Sequence, residues 1–176
     1  MSESHGEIHD EHPFVTPPEQ RDPARRLRGR LAAPVTILTA GRDRNRTGLT
    51  VSSLVVAEGA PPLAYCLLGP ESDLIDALRA TGRFVVHVCA TEHRSIADVF
   101  AGIRPSPGGL FRGREAMDTE YGPRLAGFDT FAFCSLVGAR EESYSVLVRA
   151  TIDEIVTAEL DDPLLYFRGR YRSLDA

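Results

Sequence analysis

Apolar and polar residues alternate along much of the chain. Between Ser143 and Val156, the residues Tyr144, Val146, Val148, Ala150 and Ile152 fall on one face and Ser145, Leu147, Arg149 and Thr151 on the other. That period of two predicts a strand with one buried face. Phe128 to Val137 alternates in the same way. Val35–Thr39, Leu49–Ala57, Leu63–Leu68 and Leu164–Tyr171 add shorter strands, and Phe84–Cys89 is apolar on both faces, which predicts a central position. Helical spacing is rarer. Pro23 to Ala33 places Leu27 and Leu31 four apart behind Asp22 as cap, with Pro23 in the first turn. Leu74, Ile75, Ala77 and Leu78 share a stripe between Ser72 or Asp73 as cap and Gly82 as stop. Thr91 caps a third, short helix through Ile96, Ala97, Val99 and Phe100.

The punctuation between these segments is equally plain. Gly41–Gly48 reads as a hairpin loop, and Gly69–Asp73 and Asp161–Pro163 as turns. Gly102–Gly113 is a long loop with four glycines and two prolines, and Glu115–Gly127 reads as irregular. About seven short strands with two or three helices in the connections predict a mainly β fold, an antiparallel barrel. Residues 1–22 have no apolar period and read as a disordered tail; residues 23–176 form one domain.

One strand breaks the apolar pattern. Thr50, Ser52 and Ser53 put three small hydroxyls into Leu49–Ala57. Two readings stand side by side: an edge strand with one wetted face, or a strand whose hydroxyls and N–H groups meet a polar, planar ligand. Ser72 follows a strand and opens a helix, the setting of an anion site as well as of a simple cap. His87, in the central strand, reads as a hydrogen-bonded core residue. His5 and His9 have the i, i+4 spacing of a metal clamp, but Gly6 and the nearby prolines oppose a helix, so they and His12 read as solvated and no metal site is expected.

Composition narrows the classes. The 176 residues are 43% hydrophobic and 26% charged, with a net charge of −5, so no basic field calls for nucleic acid. All 20 basic residues are arginine, which excludes Schiff-base chemistry and a Walker-type loop. No apolar run approaches the ~18 residues of a membrane span, which points to the cytoplasm. Cys66, Cys89 and Cys134 lie apart in apolar runs and read as buried, reduced thiols.

Six marks, in order, carry a resemblance over about residues 25–172: Val35-Thr-Ile-Leu-Thr39, Gly48-Leu-Thr-Val-Ser-Ser53, Pro61-Pro-Leu63, Ala77-Leu-Arg-Ala-Thr-Gly-Arg-Phe84, Phe100-Ala-Gly102 and Pro163-Leu-Leu-Tyr-Phe-Arg-Gly-Arg-Tyr171. Together they resemble the flavin reductase family. The resemblance implies an FMN-binding split β-barrel, a Greek-key antiparallel barrel that is normally a homodimer with flavin at the subunit interface. It implies FMN or FAD as cofactor, NAD(P)H as hydride donor, and a flavin-dependent monooxygenase as a candidate recipient of reduced flavin. Residue by residue, Thr50, Val51, Ser52 and Ser53 match the segment that meets the flavin ring. Ser72 matches the family's phosphate-binding serine. Asp73 stands where an arginine is common, Leu74 where a threonine is usual, and His87 where an asparagine is usual. Phe111 matches the phenylalanine of a lysine–phenylalanine pair whose lysine is absent. Glu142-Ser143-Tyr144 replaces a Gly-Asp-His triplet, and Tyr144 reads either as a ring that stacks on nicotinamide in the histidine's place or as a barrel residue. The function implied is an NAD(P)H:flavin reductase. The alternative is a flavin-binding carrier or partner protein without its own reductase activity.

Overall fold

A computed structural model describes residues 22–174. The expected tail, with His5, His9 and His12, lies outside the described residues apart from Asp22. There the Asp22 carboxylate accepts a hydrogen bond from the Ala24 N–H at 3.2 Å and starts helix α1, Pro23–Arg28. The helix stops earlier than the leucine spacing predicts. Residues Ala33–Pro34 are drawn into strand β1, which pairs with the end of the chain, and Leu27 and Leu31 remain exposed.

The chain then runs β2 (Thr36–Ala40), β3 (Thr47–Val51), β4 (Val55–Ala57), β5 (Leu63–Leu68), α2 (Asp73–Thr81), β6 (Arg83–Val88), α3 (Arg94–Phe100), β7 (Ala116–Thr119), β8 (Gly122–Leu125), β9 (Phe131–Glu142), β10 (Ser145–Val156), β11 (Leu165–Phe167) and β12 (Arg170–Arg172). Seven strands form one antiparallel sheet in the order β3-β2-β6-β9-β10-β5-β4. Its two edges, β3 and β4, are consecutive in the chain, so the sheet curls until the edges meet. Two register shifts between the long strands β9 and β10, at Arg149/Ala150 and Ile152/Glu154, add the local bending that bulges supply. The result is a split barrel.

Alternation decides what fills it. Val51, Cys66, Phe84, Cys134 and Val148 point into one cluster, and α2 closes it with Leu74, Ile75 and Leu78. Val35 and Ile37 form the back of a second cluster with Phe100, Leu125, Phe128 and Leu164, contributed by α3, the β7–β8 hairpin and the C-terminal segment. All three cysteines are buried and free, and burial pushes each thiol up to about 12.

Four expectations change. The strand foreseen over Leu49–Ala57 is two strands, broken at Ser52–Leu54, because β3 and β4 belong to opposite edges of the sheet. The segment read as irregular contains the β7–β8 hairpin, whose Leu125 is fully buried. The last strand is a hairpin, turned at Arg168 and Gly169 with φ of 51° and 80°. Thr91 does not cap a helix. It opens a 3₁₀ turn ahead of α3, and its buried hydroxyl makes no hydrogen bond among the described residues.

His87 is the core histidine foreseen. The Leu125 N–H donates to Nε2 at 3.0 Å, so Nε2 is unprotonated; Nδ1–H therefore donates to the Ile37 carbonyl, also at 3.0 Å. Burial lowers its pKa from 6.5 to about 4. Between those values the unfolded chain binds a proton that the folded chain refuses, so stability falls as pH drops from 6.5 toward 4. His87→Asn should flatten this part of the stability–pH curve, measured as urea midpoints across that window. An unchanged slope would show that other groups govern it.

Candidate functional site

The seam of the barrel is the three-residue segment Ser52–Leu54 between β3 and β4. It is held by a side chain. Ser53 Oγ donates to the Leu67 carbonyl at 2.9 Å and accepts from the Leu67 N–H at 3.0 Å, replacing the ladder partner that β4 no longer supplies there. This contact ties the seam to the end of β5, two residues before the β5–α2 connection begins to leave the barrel.

That connection carries the anion-site candidate. Ser72 caps α2: its carbonyl accepts from the Ile75 N–H at 3.0 Å, and its hydroxyl accepts from the same N–H at 3.4 Å. The N–H groups of Asp73 and Leu74 have no partner within the helix, as in any first turn. The Leu74 side chain is buried in the barrel cluster, so this residue presents only its backbone outward. Asp73 is exposed and shares the first turn with Asp76. Two carboxylates suit the positive end of a helix, yet they compete with any anion that approaches it.

The β5–β10 ladder ends at Leu68 opposite Val146. The Gly69–Ser72 connection and the β9–β10 turn therefore leave the barrel at the same rim. Tyr144 sits at that turn. It does not head the alternating strand as its spacing predicts: Glu142 pairs with Ser145, which leaves Ser143 and Tyr144 as a two-residue turn with Ser143 at φ 54°. The Tyr144 ring is 93% exposed, so its direction is set by the turn and not by a pleat.

The other side of β3 is occupied by α3. Thr50 Oγ1 donates to the Ala97 carbonyl at 2.6 Å. A Cβ on Gly48 would lie 2.6 Å from the Phe100 ring, so only glycine lets α3 approach this closely. Phe111 packs edge-on against Phe100 with centroids 5.5 Å apart, beneath the Arg46 guanidinium at 5.4 Å. Arg46 also pairs with Asp118 at 3.6 Å, so it is an anchor for the long loop.

The structure thus brings Ser52, Ser53, Ser72, Asp73, Leu74 and Tyr144 to one rim, with Thr50 and Phe111 turned toward α3. Val51 faces the barrel interior. Two cavities lie away from this rim. One, of about 150 Å³, is beside His93; the other, of about 510 Å³, lies between α3 and the β11–β12 hairpin. The contacts that sequence reasoning missed, Ser53 to Leu67 and Thr50 to Ala97, end on backbone atoms, which leave no trace in residue type.

Residues 28–175 match the Flavin reductase like domain. The chain belongs to that family. Its similarity to curated relatives extends over most of their length. It is 28% identical over 160 residues to the reductase component of 4-nitrophenol 4-monooxygenase/4-nitrocatechol 2-monooxygenase from Rhodococcus opacus, covering 89% of this chain and 83% of the relative. It is 31% identical over 159 residues to the NADH-dependent FMN reductase AsuE2 from Streptomyces nodosus subsp. asukaensis, covering 85% and 83%. Among solved structures, the NADH:FAD oxidoreductase SgcE6 of Streptomyces globisporus C-1027 superposes with a TM-score of 0.76 at 22% identity, over 90% of this chain and 95% of that one. The styrene monooxygenase flavin reductase from Pseudomonas putida S12 gives 0.74 at 20%, over 85% and 96%. These two likenesses support the split-barrel fold.

The Ser53 contact gives a direct test of the seam. Ser53→Ala removes both hydrogen bonds to Leu67 and should cost about 1–2 kcal/mol. Ser52→Ala, at an exposed neighbour, should cost little. Urea unfolding of the two variants measures the difference; equal stabilities would show that the seam closes without Ser53.

Proposed function

We propose that this chain is an NADH-dependent flavin reductase, the reductase half of a two-component oxygenase system. The carrying observation is the shared rim of the seam, the α2 first turn and the β9–β10 turn, in a chain of the flavin reductase like domain. Bound flavin, FMN or FAD, would supply hydride acceptance from nicotinamide. The chain's own residues position and shield. The N–H groups of 52–54 lie outside both ladders and face the polar edge of the ring, with Ser52 as the free hydroxyl. Ser53 is engaged with Leu67 at both ends, so its hydroxyl shapes the seam. Ser72 and the N–H groups of Asp73 and Leu74 take the phosphate. Asp73 weakens that grip, which suits a flavin that is bound, reduced and released. Phe111 contributes through the loop it anchors. Tyr144 covers the nicotinamide face in place of the family's histidine. Residues 23–176 act as one domain, in the cytoplasm; no helix among the described residues is long and apolar enough to cross a membrane.

The test has three arms. Protein titrated with FMN should quench its fluorescence with about micromolar affinity, several-fold tighter in Asp73→Asn as one repelling charge is removed. NADH oxidation should depend on added flavin. Tyr144→Ala should raise the KM for NADH several-fold, as losing a stacking contact of roughly 1 kcal/mol requires, and move flavin affinity less. Flavin binding without NADH oxidation would favour the carrier reading.

The rim is open on one side, and a second copy is the proposed wall. Val55, Tyr65, Leu67 and Leu147 share the outward face of β4, β5 and β10 by register, and Val55 and Leu67 are 61% and 47% exposed. An apolar sheet face beside an edge strand calls for a cover. Light scattering should give twice the 19.3 kDa chain mass, and Leu67→Glu should return it to one. A wild-type monomer would overturn the homodimer.

A further inference from the structure

Seven arginines gather where the two ends of the described chain meet. Arg25, Arg26, Arg28 and Arg30 lie on and just after α1, and Arg168, Arg170 and Arg172 on the β11–β12 hairpin. The two elements touch. The Arg168 N–H donates to the Gly29 carbonyl at 2.8 Å, and the chain continues from α1 into β1, which pairs with β11. All seven side chains are exposed, and none is in an ion pair among the described residues. Residues 22–34 and 164–174 hold one described carboxylate between them, Asp22, which is taken up in capping the helix. The whole chain has a net charge of −5, so this is charge gathered against the overall sign. Such a patch attracts something acidic.

The surface is not only basic. Arg170 and Arg172 flank Tyr171 and so point away from the Tyr166–Tyr171 pair, to the side of their cross-strand partners Phe167 and Leu165. α1 buries none of its residues, and Leu27 and Leu31 are 64% and 62% exposed. A helix of six residues is too short to be stable through its own hydrogen bonds, so contacts along its flank decide whether it forms. Two leucines four apart, with arginines around them, are the surface a second polypeptide segment would cover. Arginine beside apolar and aromatic side chains is the composition of a protein contact.

Charge and attachment name the segment. Residues 1–21 carry Glu3, Glu7, Asp10, Glu11 and Glu19 against Arg21 alone, with Ile8, Phe14 and Val15 as their larger apolar positions. They join the described chain at Asp22, the cap of α1. From there a helix of six residues spans about 9 Å to the point where Gly29 meets Arg168. Residues 14–21, fully extended, reach about 26 Å, enough to pass along α1 and onto the outer face of the hairpin. Tethering at the edge of the basic surface gives these carboxylates an effective concentration on the order of millimolar, which any partner in solution has to exceed. We propose that α1 and the outer face of the β11–β12 hairpin form a docking surface for the acidic residues 1–21 of the same chain. The contact is one of charge and a few apolar side chains, so a segment without an apolar period can make it.

Limited digestion of the full chain by a glutamate-specific protease tests it, at low salt and at about 1 M salt, where the screening length is only about 3 Å. At low salt, Arg170→Glu/Arg172→Glu should speed cleavage after Glu3, Glu7, Glu11 and Glu19 by about ten-fold over wild type, and Arg25→Gln/Arg28→Gln should act in the same direction. At high salt the three proteins should converge. Adding Glu7→Arg/Glu11→Arg to the hairpin variant should restore protection at Glu19, a rescue that a misfolded protein would not give. Equal cleavage of wild type and both variants at low salt would overturn the docking. Protection that grows with protein concentration would place the segment on a neighbouring copy and overturn the contact within one chain. Wild-type protein that sediments with phosphatidylglycerol vesicles at low salt, and not with phosphatidylcholine vesicles, would show a basic surface left open to lipid and would overturn it as well.

Discussion

The structure turns on a short connection. Val51 and Val55 end the two edge strands of a seven-stranded sheet, and four peptide steps join them. Four extended steps reach about 14 Å at most. A flat sheet would place its edges six spacings apart, roughly 29 Å. The sheet can therefore exist only curled, and the curl creates an interior that alternating residues and α2 fill. Ser53 completes the seam by serving Leu67 as a ladder partner would. Everything at the rim is positioned by this closure: the seam itself, the β5–α2 connection and the β9–β10 turn.

Closure by so short a segment has a cost that the site exploits. Residues 52–54 cannot join either ladder, so backbone groups that a longer strand would pair are left at the rim. The first turn of α2 adds further N–H groups for a different reason, the inherent open end of a helix. Two kinds of unpaired donor thus occur side by side, and Asp73 and Asp76 oppose an anion there. Positive charge is found instead across β3, around α3 and the C-terminal hairpin.

Much of this was legible in the residues. β5, β6 and α2 follow from uninterrupted periodicity, and Ser72 and Gly82, the latter at φ 68°, bound α2 as expected. His87 read as a bonded core histidine because its neighbours are apolar on both faces. Two of the misreadings share a cause. Where a pattern of period two continued across a reversal, as at Ser143–Tyr144 and at Arg168–Gly169, it concealed a tight turn. Tyr144 keeps the parity of Val146 and Val148 yet belongs to no strand. The break at Ser52–Leu54 was hidden, since a strand that changes edge looks like one strand in sequence. The β7–β8 hairpin escaped because its apolar content, chiefly Ala116, Met117 and Leu125, is too sparse to show a period.

The described histidines clarify what kind of catalysis the rim can support. His87 is held between the Ile37 carbonyl and the Leu125 N–H. His93 is equally committed: the Ala90 N–H donates to its Nδ1 at 2.9 Å, its Nε2–H donates to the Gly127 carbonyl at 2.9 Å, and its ring stacks on Phe128 at 3.9 Å. Neither imidazole reaches the rim. A reaction that needed a protein acid–base pair would find none there in these two groups, whereas hydride transfer between stacked rings asks for alignment and exclusion of water. An open rim gives alignment on one side only. In the proposed reading the shielding comes from the Tyr144 turn and from a second copy on the apolar face of β4, β5 and β10, which makes that copy part of the chemistry and not merely of the assembly.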